Sequence, residues 1–228
     1  MTTIFWAGDS TIQENSILTY PQTGIGQLFH LFLKKDVHVE NHAKNGRSTK
    51  SFIEELRLEA IHNKIVEGDF LFIQFGHNDE KKEDAARYTQ ANGEYMENLE
   101  RFVNIARNKK AYPVLITPLE RRCFDEDGNL GIGEHLEYVS AMKEIAIKLE
   151  VPVVDLYSKS RKELKKVGAE ASKKWYMHLL AGEYSSYSDG LVDNTHLKPE
   201  GAIKFGTCIA EGLKELGGIY KELLIVEF

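Results

Sequence analysis

With 228 residues, 42% of them hydrophobic, the chain is long enough to bury a substantial α/β core, and a single domain spanning 1–228 is expected. Its 29 Lys and Arg are interspersed with 35 Asp and Glu for a formal charge of -6, so no basic stripe awaits a phosphate backbone and nucleic acid is not an expected partner. No apolar run reaches transmembrane length, so no membrane partner is expected, and two cysteines, Cys123 and Cys208, are too few for a disulfide framework.

Met1-Thr2-Thr3 leads straight into a first apolar run, with no basic segment or cleavage motif, and a cytoplasmic location is therefore expected. Short apolar runs then alternate with amphipathic stretches of helical length, the pattern of parallel strands joined by covering helices. In chain order the expected strands are 3–7, 37–41, 69–74, 112–117 and 151–155. The expected helices are 26–33, 49–63, 93–108, 134–149, 158–167 and 199–216, with Pro199 opening the last where a missing amide costs nothing. The charged stretch 80–84 reads as a solvated loop or helix start and not as a binding tract. The tail 220–228 is more apolar than a loose end should be, so it docks on its own domain or on another subunit.

In open α/β sheets, ligands gather where the carboxyl ends of strands turn toward the next helix. Gly8-Asp9-Ser10 ends the first strand, Asn41 through Thr49 follows the second, and Gly76-His77-Asn78-Asp79 follows the third. Asp193-Asn194-Thr195-His196 closes the last loop before the final helix. A serine hydroxyl is a poor nucleophile unless an imidazole takes its proton, and the imidazole needs a third group to hold its tautomer. Ser10, His196 and Asp193 supply these parts, the aspartate and histidine being close enough in sequence to meet within one turn. Acyl transfer also needs donors aimed at the oxygen that turns negative. The backbone N–H groups of Ser10 and Gly46 and the side-chain amide of Asn78 suit that task, although alone Gly46 reads as a turn residue and Asn78 as a helix cap.

In these four ordered motifs the chain resembles the SGNH hydrolases of the GDSL superfamily, with Ser10, Gly46, Asn78 and His196 at the four eponymous positions. Within that superfamily it most resembles the rhamnogalacturonan acetylesterases, also through Thr117-Pro118, Arg121-Arg122, Phe124-Asp125 and His135. Ile25 in Gly24-Ile25-Gly26-Gln27 departs from that pattern, since related enzymes often carry Trp there. The resemblance implies a flavodoxin-like three-layer α/β/α fold with a mainly parallel five-stranded sheet. It implies a serine carbohydrate esterase that removes O-acetyl groups from pectin-derived oligosaccharides, with no metal and no cofactor.

His77, Arg121, Arg122 and Tyr184 are the candidate substrate contacts. Two guanidinium forks suit a uronic-acid carboxylate, and the aromatics at 175–176 and 184–187 suit a sugar platform. Surface ion pairs and ordinary packing account for the same residues equally well. Asp9 reads as a loop-bonding residue, while His42 stays ambiguous. Competing functions are an SGNH esterase of acetylxylan, lipase or thioesterase type, a metal-dependent phosphoesterase, and a non-catalytic carbohydrate-binding module. The phosphoesterase lacks a nucleating Asp-x-His or His-Glu-x-x-His pair. Gly46-Arg47-Ser48-Thr49-Lys50 lacks the second glycine of a nucleophile elbow, which favours Ser10 over Ser48.

Overall fold

Side chains along the first strand alternate between two dry layers, and the sheet is built on that alternation. The computed structural model describes residues 2–133 and 135–226. In β1 (Thr2–Gly8), Ile4 and Trp6 enter one buried cluster while Phe5 and Ala7 enter another. Phe70 and Phe72 against Leu71 and Ile73 repeat the division in β3 (Phe70–Gln74). Strands apolar on both faces belong in the middle of a parallel sheet covered on both sides. With β2 (Val37–Asn41), β4 (Tyr112–Ile116) and β5 (Val153–Val154) they form a five-stranded, all-parallel sheet in the order β2-β1-β3-β4-β5. That is the flavodoxin-like order expected, and it places a switch point between β1 and β3, beyond whose carboxyl ends a crevice opens.

The strands agree with expectation to within a residue or two, except that β5 stops short because Asp155 turns to cap the next helix, accepting from the Ser158 N–H. Helices deviate more. The helix expected over 26–33 is α1 (Ile25–Leu28) followed by a 3-10 turn (Phe29–Phe32), because Leu33 must leave in extended form to bridge Leu224. The helix expected over 49–63 breaks at Leu56, which adopts φ 58°, into α2 (Thr49–Glu54) and α3 (Arg57–His62). Phe52 and Leu58, both buried, would lie about 120° apart on a continuous helix; the break lets both face the core.

A π-type turn (Ala91–Tyr95) precedes α4 (Met96–Asn108), and α5 (Leu136–Leu149) packs beside it, while Glu134, expected to open that helix, lies outside the described residues. There follow α6 (Leu156–Val167), α7 (Ala169–Ser172), α8 (Pro199–Leu216, as expected) and α9 (Gly218–Glu222). The tail docks on its own chain: Leu223 and Leu224 are buried and the Ile225 N–H donates to the Phe32 carbonyl. Glu227 and Phe228 are outside the described residues.

One element was not anticipated. The segment 193–196, expected as loop, belongs to β7 (Leu191–Leu197), antiparallel to β6 (Tyr176–Leu179). His178 faces Val192 and Tyr176 faces Leu197, so the four residues Asp193 to His196 bulge opposite the single residue Met177. Bulges re-aim side chains, and this one carries the catalytic candidates.

Candidate active site

The bulge solves a geometric problem, since residues three apart on a regular strand point to opposite faces. Asp193 Oδ1 accepts the backbone N–H of Thr195 (2.7 Å) and of His196 (3.0 Å), curling the chain so that Asp193 Oδ2 reaches His196 Nδ1 at 2.6 Å. The opposite ring nitrogen, His196 Nε2, lies 2.9 Å from Ser10 Oγ. With the Nδ1 proton given to the carboxylate, Nε2 keeps its lone pair toward the hydroxyl. Burial alone would raise the Asp193 carboxyl, but the His196 ring and the two backbone amides outweigh it and hold it at about 2. It is therefore an anion at any ordinary assay pH. Ser10 sits in a turn closed by the Ile12 and Gln13 N–H groups on the Asp9 carbonyl and caps no helix.

The crevice beside Ser10, about 430 Å³ in volume, is also lined by Gly46, His77 and Asn78. Gly46 adopts φ +76°, a conformation that favours glycine. Asn78 donates through Nδ2 to the Arg47 carbonyl at 3.1 Å, which turns its amide toward the Gly46 segment. Among the described residues, the Ser10 and Gly46 backbone N–H groups are given to no protein acceptor. Three donors that sequence reasoning grouped thus border one crevice with the Ser-His-Asp chain, an arrangement suited to stabilising a tetrahedral oxyanion.

Comparison with known proteins is consistent with this geometry. Residues 7–202 match the GDSL-like Lipase/Acylhydrolase family. The chain belongs to this family. The esterase is 42% identical over 224 residues to the Bacillus subtilis (strain 168) protein named rhamnogalacturonan acetylesterase RhgT, covering 97% of this chain and 94% of that one. It is 37% identical to the probable rhamnogalacturonan acetylesterase YesY of the same strain, covering 98% of each. Among solved structures, YxiM of Bacillus subtilis superposes with a TM-score of 0.80 at 25% identity over 95% of this chain and 57% of that one. An acetylxylan esterase of Geobacillus stearothermophilus, Axe2, shares the fold at a TM-score of 0.64 and 16% identity, covering 99% and 97%. The enzyme is a carboxylic ester hydrolase.

The esterase's remaining sequence candidates separate. His77 lines the crevice, its Nδ1 3.0 Å from Asp9 Oδ2, and its buried Nε2 has no hydrogen-bond partner among the described residues. Burial opposes ionisation of Asp9, but His77 and the Thr11 donors hold its carboxyl below the usual range. Asp9 thus bonds the loop, as expected of a turn aspartate. Arg121 also lines the crevice, its Nη2 2.9 Å from Glu80 Oε1. His135, which sequence reasoning left without a role, holds the other Glu80 oxygen at 2.6 Å and stacks edge-on against His77. His42 lies away from this cluster, 2.8 Å from Glu40.

Arg122 does not line the crevice. Its guanidinium is buried, donating to Ser172 Oγ and Asn194 Oδ1 and to the Ala169 carbonyl, and its backbone N–H donates to the Asn194 carbonyl. Asn194 sits inside the bulge, and His178 Nε2 also meets its Oδ1 at 2.7 Å. Arg122 therefore anchors the strand that presents Asp193 and His196, a role hidden by the 72-residue separation from Asn194. Tyr184 likewise lies off the crevice, its ring edge-on to Tyr20. Trp175 and Tyr176 are core residues packed against Phe205, so neither forms a sugar platform.

Ser48 caps α2 through the Ser51 N–H, as expected of a helix-start hydroxyl. Asp79 was not singled out from sequence, yet it joins the two oxyanion segments. Its carboxyl accepts the Thr49 N–H and hydroxyl at the start of α2 and the Thr89 hydroxyl. Burial raises it to about 7, above its ordinary 3.8, despite those donors. Because the folded state holds this proton more tightly than the unfolded state, the native protein binds more protons between about pH 4 and 7. Its contribution to stability is thus full below about pH 4 and is lost as pH rises through 7. Asp79→Asn should therefore gain on wild type as pH increases, the Tm difference growing by at least about 4 °C between pH 5 and 8. Calorimetric melts across that range check it; a difference independent of pH would contradict the assignment.

Asn78→Ala should lower kcat by about 10²- to 10³-fold with little change in KM, because the donor acts on charge that develops only in the transition state. Steady-state kinetics on a short acetyl ester measures both; near-normal turnover would remove Asn78 from the oxyanion hole.

Proposed function

We propose that the enzyme removes O-acetyl groups from rhamnogalacturonan-derived oligosaccharides through an acetyl-enzyme on Ser10. In this reading His196 Nε2 takes the Ser10 proton as Oγ attacks the acetyl carbonyl. The N–H groups of Ser10 and Gly46 and the Asn78 amide hold the oxyanion. Collapse breaks the bond to the sugar oxygen, which leaves with the proton from His196. Water then gives a proton to His196 and attacks the acetyl-enzyme, releasing acetate and restoring Ser10. Asp193 stays ionised throughout and balances the transient imidazolium.

The observation that carries the chemistry is the unbroken chain from Ser10 Oγ (2.9 Å) through His196 to Asp193 (2.6 Å). The substrate reading is supported by 42% identity over nearly the whole chain to a rhamnogalacturonan acetylesterase. Turnover of acetylated rhamnogalacturonan oligosaccharides, acetylated xylo-oligosaccharides and short and long acyl esters tests it. The first should be preferred over xylo-oligosaccharides by at least about tenfold, a margin of about 1.4 kcal/mol; the reverse order would contradict it. We also place the enzyme in the cytoplasm, acting on imported oligosaccharides. A chain with two cysteines, too few for a disulfide framework, fits that placement; native enzyme recovered outside intact cells would contradict it.

A further inference from the structure

The chain is acidic overall, yet the wall of the catalytic crevice carries Lys81, Arg87 and Arg121. Two of these are matched by neighbouring carboxylates. Arg87 Nε lies 3.0 Å from Asp84, and Arg121 Nη2 lies 2.9 Å from Glu80. Lys81 differs: half-buried in the crevice wall, it makes no side-chain hydrogen bond or ion pair among the described residues. An ammonium shielded from water on one side and held in no direct ion pair is available to an anion that arrives with the substrate.

A second hollow of about 410 Å³ adjoins the first and is lined by Glu80, Lys82, Glu83, Glu137 and Tyr138, so its three carboxylates leave a cation on its wall as the feature that can admit an anionic chain. Lys81 and Arg121 line both hollows. The two therefore share a wall, with Lys81 and Arg121 standing between the reacting centre and the space beyond it. A saccharide with its acetyl group at Ser10 whose chain runs on toward the second hollow would cross that wall at Lys81. Sugar hydroxyls are neutral, so the anionic group of such a chain is a uronic-acid carboxylate.

Resting on the substrate reading above, we infer that Lys81 selects uronides, binding the carboxylate of a uronic-acid unit as the chain crosses from the catalytic crevice into the second hollow. The segment around it, which reads in sequence as a merely solvated charge run, is then one wall of a binding track. A lysine suits the position because its single charge rides on a flexible stem and can follow a carboxylate among differing linkages, whereas a bidentate arginine would demand one orientation.

The test compares an acetylated rhamnogalacturonan oligosaccharide with the same oligosaccharide after its uronic-acid carboxyls are reduced to primary alcohols. Wild type should favour the charged form about tenfold in kcat/KM, mainly through KM, as for one charge-assisted hydrogen bond. Lys81→Met should bring that ratio close to unity, Lys81→Arg should keep most of it, and about 0.5 M salt should compress it in wild type. A wild-type ratio near unity, or an unchanged ratio in Lys81→Met, overturns the inference and leaves the acetylesterase reading intact. Hydrolysis of neither oligosaccharide, with short acetyl esters still cleaved, overturns the substrate reading and this inference together.

Discussion

Ser10→Ala should reduce kcat by about 10⁶-fold on any acetyl ester, leaving only the acceleration that binding and the oxyanion donors provide. The effect is this large because, among the described residues, Ser10 Oγ is the hydroxyl that meets His196 Nε2. Ser48, the other serine near the oxyanion segment, is fully buried and occupied in capping α2. The relay acts as a unit, so His196→Ala should cost nearly as much, and the double variant little more than either single one. A double variant whose loss is the product of the two single losses would mean that Ser10 and His196 act independently, contrary to their 2.9 Å contact. Single-turnover kinetics with an activated acetyl ester has the sensitivity required.

Asp193→Asn should lower kcat by about 10⁴-fold with the fold intact. The carbonyl oxygen of the substituted side chain would keep the Thr195 and His196 amides that Asp193 Oδ1 accepts, so the bulge retains its shape. The new NH₂ would then face His196 Nδ1, forcing that nitrogen to accept and placing the ring proton on Nε2. A protonated Nε2 cannot take the Ser10 proton. The negative charge that offsets the imidazolium would also be gone. Unchanged circular dichroism with a kcat loss of this order supports the account; a loss of less than about tenfold would make Asp193 a loop-shaping residue only.

Sequence exposed the catalytic candidates because each belongs to a short motif placed at the end of an apolar run. Ser10, Gly46 and Asn78 follow three strands whose Val-, Ile- and Phe-rich composition is legible without a partner. Cover on both faces also follows, since Ile4 and Trp6 are buried on one face and Phe5 and Ala7 on the other, which requires helices on both sides; the strand order was implied by the family resemblance. Helix interruptions were less legible. The break at Leu56 depends on where the sheet stands relative to Phe52 and Leu58, and the end of α1 depends on Leu224 near the other end of the chain.

What the sequence hid was mostly a matter of support. Arg122 and Arg121 are adjacent and chemically alike, yet one anchors Asn194 in the bulge while the other faces the crevice. Only the path of β7 distinguishes them. Asp79 follows Asn78 directly, but its partners Thr49 and Thr89 come from two distant segments. Lys81 lies in a charge run whose composition resembles any solvated turn, and its place between two hollows exists only in the folded chain. Local pattern therefore pointed to the candidate reacting groups, while the residues that hold them in register emerged from tertiary contacts.

The most direct measurement is the site of covalent capture by an organophosphonate, read by peptide mass spectrometry in wild type and in His196→Ala. One adduct on Ser10 in wild type, formed far more slowly when His196 is removed, is the predicted result. An adduct on another residue, or labelling of Ser10 at the same rate without His196, would contradict a nucleophile activated by that imidazole.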